Sequence, residues 1–416
     1  MTARAAVPDV FAPLAVPSPQ LRASLPPPER PDARLAVLDV SEYYGADSGG
    51  VRTYLHAKAH YVAGHSELRQ VIVVPDAGHS VRSDLGVRLY RVPGPRIPFQ
   101  STYRVLGGSS DLRRIIAHER PDLVEIGSAY GAPWVASRAA HQLDVPLVWY
   151  FHAHLPRIVA PGLRASPMHR RWAAGLAVRY VRAIAARVDL VLVASRSVQQ
   201  DLAAFGIQNV RVAPLGVDTG TFQPERRTRR TETLARYGLP DVPIVLFTGR
   251  FTREKELAAA VAEWSAVRTP GAVLVLAGAG PMAARLRAHG DGRVRVLPFE
   301  HNSARLADLY SAADLYLAPG PAETFGLSAH EALACGTPVL SVDRGAVADA
   351  VARAGCGGTW SHGNGADMAA QVDALLAQGD AGRAAARDYI MRHHRWEAVF
   401  DHLFAIYTEL VTGAQR

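Results

Sequence analysis

The sequence predicts an α/β protein of two doubly wound domains of similar size, with a cleft between them. Three observations carry that prediction. Short β-branched runs alternate with helix-like stretches, the pattern of a parallel sheet with helical crossovers. The alternation comes in two series, separated by the polar and charged stretch "QPERRTRRTETLARYGLP". The chain has 416 residues, a length for two or three domains, and its 49% hydrophobic and 20% charged residues suit a substantial core.

Residues 1–34 carry eight prolines, including "LPPPERP", and read as a disordered Pro-rich tail. The first domain, 35–222, opens on the strand "ARLAVLDV" and continues with "QVIVVP", "DLVEIG", "PLVWYFH", "DLVLVAS" and "VRVAP". Helical stretches such as "VRTYLHAKAHYVAG" and "WAAGLAVRYVRAIAARV" lie between them. Residues 223–240 form the linker and a first helix. The second domain, 241–395, has strands at "PIVLFTG", "AVLVLAG", "VRVLPF", "LYLAPG" and "PVLSV". The segment 396–416 contains "RWEAVFDHLFAIYTELV", amphipathic by its apolar spacing. Ligands of such sheets sit at the carboxyl ends of the strands, which places a site in the cleft.

Composition narrows the function classes. Two cysteines, Cys335 and Cys356, cannot build a disulfide framework and read as free thiols of a reducing cytoplasm. No apolar run is long enough to span a bilayer, and prolines and Asp9 break up the N-terminus where a signal peptide would need continuity. A cytoplasmic protein is expected, with peripheral contact to the inner face of the plasma membrane as a further expectation. The formal charge is +8, and Lys58 and Lys255 are the only lysines among 46 basic residues. This arginine bias fits codon usage in a GC-rich genome. It also fits an anionic partner. Nucleic acid is not expected, because basic and aromatic residues do not interleave.

Four stretches carry candidate chemistry. In "APGPAETFGLSAHEALACGTPVL" a buried strand leads through a loop into a helix. Glu323 lies just before that helix and Glu331 inside it. The N–H groups around Phe325, Gly326 and Leu327 form an anion-binding corner at the helix N-terminus. Two carboxylates beside such a corner suit a phosphate flanked by two sugars, as in a nucleotide-sugar. Simple N-capping by Glu323 and a surface position for Glu331 are the competing readings. In "LFTGRFTREKEL", Arg250 and Lys255 follow a strand end and can reach a diphosphate; surface pairing along a helix is the alternative for Lys255. In "DSGGVRTY", Gly49 and Gly50 precede a helix and let backbone approach a phosphate. In "WYFHAHLPR", His152 ends a strand and faces the cleft, with His154 as a competitor and a structural histidine as the alternative.

Absent patterns matter too. The sequence has no Asp-x-Asp beside a strand, no zinc spacing, no P-loop, and no Gly-x-Gly-x-x-Gly after the first strand. No metal ligand is assigned.

Together "ETFGLSAHEALACGTPV", "GGVRTY", "VASRSVQQDL", "PLGVDTGTF", "GRFTREKEL", "AGAGP" and "LYSAADLYLAPG" resemble, in order, retaining glycosyltransferases of family 4 with the GT-B fold of two Rossmann-like domains. The likeness spans roughly residues 35–412. It implies that Arg250 and Lys255 neutralise the donor diphosphate and that Gly50 brings a backbone N–H to it from the other domain. Glu323 would contact the transferred sugar, Phe325 to Leu327 the sugar and phosphate, and Glu331 the ribose. His152 would face the transferred sugar, and the helix from Trp396 would cross back to the first domain. The reaction implied is retaining hexosyl transfer without a required cofactor or metal. Within the family, "SGGVRTY", "PLGVD" and "LAPGPAETFGL" resemble those of bacterial mannosyltransferases acting on phosphatidylinositol mannosides. Hence the expected donor is GDP-mannose, with UDP-glucose close behind, and the expected acceptor is a saccharide or glycolipid. The Arg-rich helix "HRRWAAGLAVRYVRAIAARV" suits a lipid acceptor, though ordinary packing also explains it. A sugar-nucleotide epimerase remains an alternative. A phosphorylase would need a pyridoxal-phosphate lysine, and neither Lys58 nor Lys255 has that setting.

Overall fold

The computed structural model describes residues 25–45, 49–97, 100–162, 166–288, 292–355 and 357–414. The first domain begins β1 (Leu35–Val40), α1 (Gly50–Ala63), β2 (Leu68–Asp76), β3 (Ser80–Asp84), β4 (Val87–Pro93), β5 (Arg96–Ile97) and β6 (Gln100–Arg104). It continues α2 (Ser109–Glu119), β7 (Leu123–Ile126), α3 (Ala132–His141), β8 (Leu147–Tyr150), α4 (Leu155–Gly162), α5 (Pro167–Ala185), β9 (Leu190–Val193), α6 (Arg196–Ala204) and β10 (Val210–Val212). Its main sheet has the order β10-β9-β8-β7-β1-β2-β4-β3, parallel except for β3.

The second domain runs α7 (Arg230–Arg236), β11 (Ile244–Arg250), α8 (Leu257–Trp264), β12 (Val273–Ala279), α9 (Ala283–Ala288), β13 (Val294–Leu297), α10 (Ser303–Ala312) and β14 (Leu315–Ala318). After it come α11 (Leu327–Ala334), β15 (Val339–Val342), α12 (Ala346–Ala354), β16 (Gly357–Trp360), α13 (Gly365–Leu376), α14 (Gly379–His393) and α15 (Trp396–Ala414). Its parallel sheet has the order β13-β12-β11-β14-β15-β16. Strands such as β1 and β14 are buried along their whole length because helices cover both faces, which is why they read as unbroken apolar runs.

Each sheet has a core on both faces. In the first domain Leu38 and Val40 point to one face, and Leu35 and Val37 to the other. The second of these cores also takes in Phe400, Phe404 and Tyr407 of α15, and Phe325 from the second domain. The chain therefore crosses twice between domains. The crossings touch: the Val217 N–H donates to the His394 carbonyl at 2.7 Å, and Val217 bridges Arg395.

Residues 25–34, which proline content assigns to a disordered tail, are packed on the first domain. Arg88 donates to the carbonyls of Pro26 and Pro27 at 3.1 and 2.5 Å. The Arg30 guanidinium donates to the carbonyls of Val62, His65 and Leu68 at 3.1, 2.7 and 2.9 Å, satisfying acceptors at and just beyond the end of α1. The earlier part of the expected tail lies outside the described residues. The basic stretch between the domains is clamped to the second one, Arg226 on Asp308 and Arg227 on Asp314, each at 2.7 Å. Cys335 is a buried free thiol, and Cys356 lies outside the described residues.

Candidate active site

In each sheet the strand order reverses beside the first strand of its domain, between β7 and β1 and between β11 and β14. A crevice opens at the carboxyl ends of strands at such a switch point. Gly49 precedes α1, which starts at Gly50, and His152 follows β8; Arg250 ends β11, and Lys255 and Glu323 lie in the segments after β11 and β14.

α11 begins directly after this second-domain loop. Its N-cap is Gly326, and no side chain caps it, so Glu323 does not serve as the cap. The helix N-terminus thus keeps unsatisfied N–H groups and a partial positive charge. Gly326 has φ 85°, and a Cβ there would lie 2.3 Å from a methyl of Val347. Phe325 is buried and stacks on His330 with ring centroids 3.8 Å apart. Glycine at 320 lets the β14 loop approach the basic loop, since a Cβ would stand 3.1 Å from the Lys255 Cα. Across that approach the Lys255 ammonium pairs with the Glu323 carboxylate. The sequence reads the two residues at separate strand ends, and the structure adds that they pair with each other. Arg250 is exposed at the end of β11 and has no side-chain partner among the described residues.

Glu331 faces inward and is only half-buried, yet its carboxyl is pushed up to about 8. Desolvation is the main cause, opposed by the Tyr310 hydrogen bond and reinforced by the charge of Asp218. The Tyr310 hydroxyl donates to Glu331 Oε2 at 3.1 Å and lies 2.6 Å from the Thr248 hydroxyl. A surface-helix role for Glu331 does not fit these contacts.

The first domain supplies the opposite wall. Gly50 starts α1, and a Cβ there would be 3.9 Å from a Leu327 methyl, so the N-termini of α1 and α11 face each other across the cleft. α1 also lacks a side-chain cap, and Gly49 has open space beside it. His152 stacks on Tyr150 at 4.1 Å with planes 5° apart. Its Nε2 is buried and has no partner among the described residues. Burial, helped by the charge of Lys58, lowers its pKa to about 3, so the ring is neutral at physiological pH. His154 is a structural histidine: it is buried and bonds Asp201 at 3.0 Å. Two contacts close the cleft, from the Thr324 hydroxyl to the His152 carbonyl and from Arg157 to the Pro321 carbonyl, both 2.9 Å.

Two features beneath this wall escaped the sequence reading. Glu42 is buried after β1 and accepts the N–H groups of Leu106 and Gly131 at 3.0 and 3.1 Å, fastening the rim loops. Lys58 is fully buried, 2.7 Å from Asp39 and 3.5 Å from Glu125. Tyr54 donates to Glu125 at 3.0 Å, and Tyr407 of α15 donates to the same carboxylate. A lysine in a chain with only two was the available signal, but its partners are far away in sequence.

The description Glycosyltransferase Family 4 matches residues 48–221, and Glycosyl transferases group 1 matches residues 242–378. A "GDP-mannose-dependent alpha-(1-6)-phosphatidylinositol dimannoside mannosyltransferase" of Mycobacterium tuberculosis (strain ATCC 25177 / H37Ra) is 32% identical over 335 residues, covering 76% of this chain and 84% of the relative. The chain belongs to glycosyltransferase family 4. This family 4 enzyme is a hexosyltransferase. It is also similar to a "D-inositol 3-phosphate glycosyltransferase 1" of Catenulispora acidiphila, 33% identical over 310 residues, or 68% of this chain and 72% of that one. Its GT-B fold is shared with sucrose-phosphate synthase of Thermosynechococcus elongatus, at TM-score 0.72 and 20% identity over 91% of this chain and all of that one. Anabaena HepE, solved with UDP-glucose, matches at TM-score 0.67 and 16% identity over 90% of this chain and all of that one. Among the described residues no helix is long and apolar enough to cross a membrane.

Proposed function

We propose that this glycosyltransferase moves mannose from GDP-mannose to a glycolipid with retention of anomeric configuration, working in the cytoplasm at the inner face of the plasma membrane. The observation that carries the reading is the meeting of two uncapped helix N-termini, one from each domain, beside Arg250 and the Lys255–Glu323 pair. A sugar-linked diphosphate matches each part of that arrangement. Its phosphates receive the N–H groups of Gly50 and of Phe325 to Leu327, together with the charges of Arg250 and Lys255. As Lys255 turns to the diphosphate, Glu323 is freed to accept hydroxyls of the transferred sugar. Glu331 takes the ribose hydroxyls, and the buried, unpartnered Nε2 of His152 takes a sugar hydroxyl from the opposite wall.

In this reading the acceptor hydroxyl attacks the anomeric carbon on the face that the diphosphate leaves. The acceptor proton passes to the departing phosphate oxygen. Charge accumulates on the diphosphate, where the two cations and both helix ends already point. The relative named for GDP-mannose and a phosphatidylinositol dimannoside supports this choice of donor and acceptor class.

The test is a thermal-shift comparison of GDP-mannose with UDP-glucose, followed by proton NMR of the product. GDP-mannose is expected to raise the melting temperature more, and the product should keep the donor's anomeric configuration. Lys255→Ala should cost about 1.5–3 kcal/mol of charge-assisted interaction in donor kcat/KM, and EDTA should leave activity intact. A larger shift with UDP-glucose would replace the donor. An inverted product would overturn the mechanism.

A further inference from the structure

Eight large apolar side chains stand exposed among the described residues, and four of them, Val159, Met168, Trp172 and Leu176, lie on the packed pair α4 and α5. Met168, Trp172 and Leu176 are 73%, 68% and 42% exposed. Their spacing of four residues sets them in a row along one side of the helix. The helix buries Ala177, Val181, Ile184 and Ala185 instead, which lie on the opposite side. α5 therefore has two apolar faces, and packing explains only one.

The outward row is framed by charge of one sign. Arg171, Arg179 and Arg182 are exposed beside it, Arg170 is exposed on the opposite side of the helix, and α5 contains no acidic residue. Positive charge continues toward the cleft in a groove lined by Arg170, by Arg253 beside Lys255, and by Arg285 of α9. Glu256 is the acidic member of that groove, and it is engaged by His362 at 2.7 Å.

We propose that the outward face of α5 docks the enzyme on an anionic lipid bilayer, with Met168, Trp172 and Leu176 entering the headgroup–acyl boundary and the flanking arginines binding lipid phosphates. A tryptophan centred in an apolar row between arginines suits the layered polarity of a bilayer surface. An apolar protein partner would not account for three arginines with no acid between them. The proposal deepens the glycolipid reading, which gives a reason for the lipid surface. Docking is measured without donor or acceptor, so either can fail alone.

The full chain is mixed with vesicles of phosphatidylcholine alone and of phosphatidylcholine with phosphatidylglycerol, and sedimented. Binding to the mixed vesicles, with a blue shift of tryptophan emission, is expected. Trp172→Ser combined with Met168→Ser should weaken that binding by about tenfold or more and remove the blue shift. Arg171→Glu with Arg179→Glu should weaken it similarly, while melting temperatures stay at the wild-type value and show the variants folded. Unchanged binding by these variants would overturn the proposal, as would equal binding to both vesicle types. A wild-type dimer that Trp172→Ser dissociates, without vesicle binding, would assign the face to a second copy of the chain instead.

Discussion

Glu331 shows how a desolvated carboxyl can oppose stability. Burial raises its carboxyl from 4.5 to about 8, so the folded protein holds a proton that the unfolded chain has released. Stability from this group is complete below the unfolded pKa and is lost as pH rises through that window. Each pH unit within it is worth at most about 1.4 kcal/mol. Glu331→Gln should therefore melt at a higher temperature than the wild type at about pH 8 and at nearly the same temperature at about pH 4. Above about pH 8, where the carboxyl is ionised, the same variant should bind donor more weakly, since an amide is a poorer acceptor than a carboxylate for ribose hydroxyls. Equal melting curves at both pH values would mean that the carboxylate is solvated. His152 shifts the other way, to about 3, and should contribute no limb to a pH–rate profile above about pH 5. The positions of these residues were legible in the sequence because strand ends and helix starts mark a cleft. Their partners were not: Lys255 and Glu323 are 68 residues apart, and nothing local shows that they pair.

Among elements, α11 depends most on one residue. Gly326 holds a left-handed backbone and sits against Val347. Gly326→Ala should cost roughly 1–3 kcal/mol from the backbone conformation, with a further penalty from the clash. Adding Val347→Ala should recover the clash part and leave the backbone part, which a denaturant titration of the three variants would resolve. Full stability in the single variant would show that the helix start can shift. Legibility here follows apolar composition: β10 and β13 are readable although only partly buried, and the mostly buried β4, "VRLYRVP", is not, because arginines interrupt it. The buried strands β1, β2, β7, β8, β9, β11, β12, β14 and β15 announce themselves as apolar runs. β3, an antiparallel edge strand reading "SVRSD", and β16, reading "GGTW" at the other sheet's edge, lack that pattern. An edge strand has one neighbour and less cover, so its composition is freer.

At the scale of the molecule, the Lys58 cluster ties the last helix to the first domain. Lys58 and Tyr407 are 349 residues apart, yet the Lys58 ammonium donates to the Tyr407 hydroxyl at 3.1 Å. Glu125 is held above its ordinary pKa mainly by burial, against the pull of Lys58. Lys58→Met should destabilise by about 3–5 kcal/mol, because Asp39 and Glu125 would remain buried without their cation. Tyr407→Phe removes only one hydroxyl and should cost about 1–3 kcal/mol. Chemical denaturation of both variants checks the order, and a Lys58→Met loss no larger than that of Tyr407→Phe would show that the cluster relaxes by protonation.

The touching crossings at Val217 and His394–Arg395 restrict how the lobes can move. Anchored at one place, they can turn about a common axle but cannot slide apart. A turn of the lobes about that axle would leave the base of the cleft in place and move its rim. Groups near the axle can keep their alignment through every cycle, and those at the rim must find theirs again each time a donor arrives.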